Sequence, residues 1–174
     1  MTPAATPRKI VAVDTHCVSW AMRPARTDDT PHTQEMRIRA RILFSILDEE
    51  KARIVLPCVA VAELLVPISK EHRAEFISRL NAQFICASLD LPASTIAADL
   101  WEHHKSFAKE DRYKDRPLLK SDLQLIASAK ASGATILYSH DVQCRKVAAH
   151  VMEARDLPKK HPDMFLDKEL RELK

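Results

Sequence analysis

Four carboxylates stand where their neighbours do not ask for them. Asp14 ends the apolar run Lys9-Ile-Val-Ala-Val13, and Asp141 comes two residues after the run Ala134-Thr-Ile-Leu-Tyr-Ser139. Glu63 is the only charged residue between Ile54 and Ser69. Asp122 lies near the start of Leu118–Gly133, one position off an apolar stripe of Leu119, Leu123, Ile126 and Ala127. Each has a plain explanation when taken alone. An Asp at a strand end caps the next helix. Glu63 marks a surface stripe on a buried helix, or it is held against the cost of burial by a cation. Asp122 favours the dipole of a helix first turn. Together they suggest chemistry. Four carboxylates in one pocket would carry a charge of about −4 and repel strongly. Divalent cations would neutralise them, and all-oxygen ligation suits Mg2+ or Mn2+ better than zinc. A pair of such ions can hold the attacking water and the leaving oxygen of a phosphodiester. Spacings of 49, 59 and 19 residues leave their convergence to the fold.

The elements that must position these acids read as an alternating α/β chain. KIVAV (9–13), RIVL (53–56), FICASL (84–89) and ATILYS (134–139) are short apolar runs of strand length, and a last strand is expected near 150–155. Helical patterns lie between them at 15–23, 34–50, 58–68, 70–83, 92–110 and 118–133, with a short helix after Asp141 to about Ala149. The polar segment 23–33 is a loop, and the charged end MFLDKELRELK is an amphipathic helix. This order predicts a mainly parallel sheet of four to five strands with helices on both faces. Asp14 and Asp141, both at strand carboxyl ends, then share the edge where ligands bind such sheets. Gly133 stands where a helix stop in the left-handed conformation is expected.

Composition narrows the class. The 174 residues include one glycine, where average usage predicts about 12. A dinucleotide fingerprint and a phosphate-cradling loop both need several, so neither mechanism is available. An Asp-x-Asp nucleophile motif is absent too, since the first strand ends Asp14-Thr15-His16. The length predicts one domain over 1–174, with a core at 9–155 and a charged tail at 156–174. The net charge is only +3. No apolar run reaches the ~18 residues of a membrane span, and no signal-peptide pattern opens the chain. Cys17, Cys58, Cys86 and Cys144 have no close spacing and read as free, buried thiols of a cytoplasmic protein. The eight histidines show no zinc-binding pattern.

Three stretches resemble one family. IVAVDTH is similar to the first strand and Asp-Thr/Ser-Asn of PIN-domain ribonucleases, which include VapC-type toxins. VAVAELL resembles their helix with one acidic residue. KSDLQLIASAKASGATILYSHD resembles their Asp-initiated helix, glycine, strand and Ser/Thr-x-Asp. The resemblance spans about 9–148. It implies a PIN-like three-layer α/β/α fold and a Mg2+- or Mn2+-dependent endoribonuclease, with Asp14, Glu63, Asp122 and Asp141 as the catalytic and metal-binding acids. It implies that Ser139 supports them by hydrogen bonding, with Thr15 and His16 beside Asp14. His16 replaces the family's usual Asn, which bears on substrate positioning rather than on metal binding. Homodimers and an antitoxin partner are also implied.

An RNA-facing surface is less defined by pattern. Lys105, Lys109, Arg112, Lys114, Arg116 and Lys120, with Tyr113 for stacking, lead towards Asp122. The same residues read equally as a solvated helix end and loop. Arg37, Arg39 and Arg41 are a second basic group. A binding module that kept the fold and lost hydrolysis is the alternative reading, motivated by His16.

Overall fold

The computed structural model describes residues 8–24, 26–104 and 116–159, and only the backbone of 116–118. Five strands lie among the described residues: β1 (Ile10–Val13), β2 (Arg53–Pro57), β3 (Ile85–Ala87), β4 (Ile136–Tyr138) and β5 (Glu153–Arg155). Seven helices lie among the described residues: α1 (Thr15–Met22), α2 (Pro31–Glu49), α3 (Cys58–Leu65), α4 (Arg73–Gln83), α5 (Leu91–His104), α6 (Arg116–Ala131) and α7 (Val142–Ala148). A 3-10 turn at Lys70–His72 precedes α4, so the helix expected over 70–83 is split. The charged helix expected at the carboxyl end lies outside the described residues.

The sheet has the order β3-β2-β1-β4-β5, and every pairing is parallel. Ala12 pairs with Val55 on one side and Leu137 on the other, which places β1 at the centre. Val11, Ala12 and Val13 are wholly buried. That is why β1 reads as an unbroken apolar run rather than an alternating one. Helices cover both faces in a three-layer α/β/α arrangement. The chain lays β2 and then β3 outward on one side of β1, and returns to place β4 on the other. The switch point between β1 and β4 is the crevice that favours ligand binding in such sheets.

Helix α2 begins three residues before the expected start. Thr30 accepts a hydrogen bond from the Thr33 amide at 3.1 Å and Pro31 occupies the first turn, a cap-and-proline pair whose signature is visible in the sequence. The basic group on this helix is also not what its pattern suggests. Arg37 and Arg39 are buried. Arg37 pairs with Asp29 and donates to the Arg23 carbonyl at 2.8 Å. Arg39 reaches Asp156 at 2.9 Å and the carbonyls of Leu157 and Pro158. Both guanidiniums tie loops to the body, and Arg41 is the exposed member of the three.

Gly133 ends α6 at φ +82°. Its amide bonds the Lys130 carbonyl at 2.9 Å and the Ala134 amide bonds Ala129 at 3.1 Å, closing the last turn. An added Cβ would meet only Ile10 Cδ1 at 3.7 Å. Conformation, not space, requires glycine here. All four cysteines are free; Cys17 and Cys144 are buried, whereas Cys86 is half-buried and Cys58 exposed. No described helix is long and apolar enough to cross a membrane.

Candidate active site

Parallel pairing brings the carboxyl ends of β1 and β4 side by side, and the Asp14 amide bonds the Tyr138 carbonyl at 3.2 Å. Asp14 is 5% exposed and caps α1, with Oδ1 accepting from the Cys17 amide at 2.8 Å. Its other oxygen, Oδ2, accepts from Ser139 Oγ at 2.5 Å. Ser139 is wholly buried and its Oγ also accepts from the Asp141 amide at 3.0 Å. One hydroxyl therefore couples the end of β1 to the start of α7. Asp141 caps α7 through the Gln143 and Cys144 amides at 2.6 and 3.0 Å. The capping explanation holds for both aspartates. Each cap uses Oδ1.

Helix α3 packs against α1 and α6, and carries Glu63 to the same edge. Glu63 is exposed, as the surface-stripe reading expects, but the helix that carries it is less buried than its apolar sequence suggests. Only Ala60 and Leu64 of this eight-residue helix are buried, so the rest, Glu63 included, lie wholly or partly open. Glu63 accepts hydrogen bonds from Thr15 Oγ1 and, at 3.2 Å, from Ser121 Oγ. It thus bridges the first turn of α1 and the second turn of α6. Ser121 adjoins Asp122, but a serine inside a helix carries no local signal of this contact.

The burial cost falls on Asp122 instead. Its carboxyl is pushed up to about 7, first by burial and then by the charges of Asp141, Glu63 and Asp14. Among the described residues, no hydrogen bond offsets this. The same field reaches beneath the site. Burial raises the Cys17 and Cys144 thiols, and Asp14 raises both further, joined at Cys144 by Asp122 and Asp141. Both stay protonated and take no part as nucleophiles or ligands.

As the side chains stand, no three His, Cys, Asp or Glu groups among the described residues converge closely enough to hold a metal ion. Asp14, Asp141 and Glu63 are turned to hydrogen-bond donors that partly offset their mutual repulsion. The donor set still suits a hard divalent cation. It is all carboxylate oxygen, and Asp122 is desolvated without a donor.

Beside Glu63 a cleft of about 510 Å³ opens between α1 and α3–α4, lined by Thr15, Ser19, Arg23, Phe76 and Arg79 among others. His16 is exposed, its ring 5.3 Å from that of Trp20. Of the basic surface expected before Asp122, Lys105, Lys109, Arg112, Tyr113 and Lys114 lie outside the described residues. The Arg116 side chain does too. Lys120 is exposed, with Nζ 5.8 Å from the centre of the Trp101 ring.

Comparison with known proteins places this geometry. Several solved structures share the fold. FitAcB from Neisseria gonorrhoeae matches with a TM-score of 0.54 at 17% identity, covering 83% of this chain and 95% of that one. VapBC-1 from nontypeable Haemophilus influenzae matches at 0.57 and 18%, covering 85% and 98%. VapBC2 from Rickettsia felis, bound to a DNA fragment from its promoter, matches at 0.56 and 12%, covering 86% and 99%. A search of curated proteins by sequence gave no match. The family model of the PIN domain matches residues 11–150, a span from β1 to the end of α7 that contains all four acids, and the chain belongs to the PIN-domain family.

Proposed function

We propose that this protein is a metal-dependent endoribonuclease that hydrolyses RNA phosphodiester bonds at the carboxyl edge of its sheet. The gathering of Asp14, Glu63, Asp122 and Asp141 at one edge supports the reading: burial first, and then the charges of the other three acids, push the Asp122 carboxyl up to about 7. Nothing structural needs four acids together. Asp14, Asp122, Asp141 and Glu63 would hold Mg2+ or Mn2+, which supplies charge neutralisation and activation of a water for attack at phosphorus. Ser139 keeps Asp14 and the start of α7 in register. Thr15 and Ser121 hold Glu63 beside the cleft, where it would be available to the ligand set.

The likeness to VapBC and FitAcB structures supports a further proposal, that the chain is the toxin of a toxin–antitoxin pair with a protein antitoxin; the proposal includes action in the cytoplasm as a homodimer. His16 favours one second reading, a PIN-fold module that binds RNA or protein without cutting it.

Cleavage of a mixed RNA panel with Mg2+, Mn2+ or EDTA, wild type beside Asp14→Asn, tests the proposal. Asn caps a helix as well as Asp does, so the variant keeps the fold while losing a ligand. Cleavage is expected from the wild type with metal alone. Equal cleavage by the variant contradicts the assignment, and RNA binding without cleavage under either metal selects the second reading.

A further inference from the structure

Next to the acids lies a run of rings that the hydrolytic reading does not use. His16 and Trp20 sit one helical turn apart on α1, with ring centroids 5.3 Å apart. Trp20 meets His140 edge-on at 5.8 Å, and His140 meets His32, in the first turn of α2, at 5.9 Å. The run thus crosses from α1 to α2 by way of the loop after β4. It flanks the acids closely in sequence and space. His16 is two residues beyond Asp14, and His140 is between Ser139 and Asp141.

The rings are held, not loose. His140 Nδ1 is 2.9 Å from Asp156. Asp156 is itself fixed by buried Arg39 at 2.9 Å and by Arg145 at 3.6 Å. Trp20 rests one side on the core. His16 and His32 are exposed, while Trp20 and His140 are half-buried. Three histidines and one of the two tryptophans of the chain thus lie together beside the strand ends that carry Asp14 and Asp141. Those acids repel a phosphodiester strand. Stacking of bases on rings supplies attraction that does not depend on charge and tolerates any base. A duplex hides its base faces, so only unpaired nucleotides gain from it.

We propose that His16, Trp20 and His140 form a stacking platform that receives unpaired nucleobases flanking the cleavage site. Trp20 and His16 are positioning residues here. The proposal rests on the ribonuclease reading for its context, and its test is read without cleavage.

Fluorescence anisotropy in EDTA compares a single-stranded RNA 10-mer, an abasic ribose-phosphate strand of equal length, and an RNA duplex. The wild type is expected to bind the base-bearing strand most tightly. Trp20→Ala should weaken that binding about tenfold and leave the abasic strand unchanged. Trp20→Phe should restore most of the loss. His16→Ala, which removes an exposed ring with little packing, should cost a few-fold. Native melting temperatures accompany each measurement. A wild type that does not distinguish base-bearing from abasic strands overturns the platform. So does a natively folded Trp20→Ala variant with wild-type binding. Metal-dependent cleavage of the same 10-mer separates the two readings. Cleavage whose kcat/KM is indifferent to Trp20 removes the platform alone. Ring-dependent binding without cleavage supports the platform and removes the hydrolytic reading alone.

Discussion

Removing the charge of Asp122 should stabilise the metal-free protein, and only above acid pH. Its carboxyl rises from an ordinary 3.8 to about 7 on folding. The folded state therefore holds this proton more tightly than the unfolded chain does. Below about pH 4 both states are protonated here and the group is neutral in its effect. As pH climbs from about 4 to 7, folding must take up a proton that the unfolded chain has already lost, and above 7 it must leave a largely desolvated anion, where the penalty is complete. Three units at 1.36 kcal/mol each give an upper figure on the order of 4 kcal/mol. Salt screening and the partial opening of the site reduce it to about 2–3 kcal/mol. For a chain of this length, each kcal/mol moves Tm by roughly 2–4 °C. Asp122→Asn in EDTA should thus melt about 5–10 °C above wild type at pH 8 and within a degree or so of it at pH 4. Differential scanning calorimetry across that range is the assay. Adding Mn2+ at pH 8 should raise wild-type Tm, by linkage worth about 2.7 kcal/mol at a hundredfold excess over Kd. The variant should gain less. Equal melting of the two proteins at pH 8 in EDTA, or a gap that does not change with pH, would refute the crowded-acid reasoning.

Other perturbations separate the frame from the site. Ser139→Ala removes a buried hydroxyl that serves both Asp14 and the Asp141 amide; urea unfolding should show a loss of about 1–3 kcal/mol, with cleavage falling further than stability explains. Gly133→Ala should cost about 1 kcal/mol through its positive φ alone, and Gly133→Val more. Either change measured as neutral in urea unfolding contradicts the backbone role. Arg39→Met should destabilise by about 3 kcal/mol, since it strips charge-assisted bonds from Asp156 and leaves the carbonyls of Leu157 and Pro158 without their donor. Faster proteolysis after β5 is the accompanying observation.

Much of the frame was open to reading because local chemistry and tertiary role coincide. β1 is apolar throughout because both its faces are covered. Gly133 stops α6 because the turn there needs a positive φ. Asp14 and Asp141 end strands that pair in parallel, so one rule about sheet edges joins them across 127 residues. Elsewhere the two levels part. The Arg37 and Arg39 pattern looks like a solvated basic face, yet Arg39 finds its acceptors 117–119 residues away. Nothing local announces such partners. Glu63 sits among apolar residues but is exposed, because a helix of two turns buries only one narrow stripe. The ring run depends on His140, Trp20 and His32 meeting from three elements. Their spacing in sequence carries no trace of that.

The central claim is that four carboxylates at one sheet edge hold the divalent cation on which RNA cleavage depends. An anomalous difference map from crystals soaked in Mn2+ tests it most directly. The account predicts a peak between β1 and β4, about 2.0–2.3 Å from carboxylate oxygens of Asp14, Asp122 and Asp141, with Glu63 released from Thr15 towards it. A peak elsewhere, or an acidic edge that stays without density at saturating Mn2+, would contradict it.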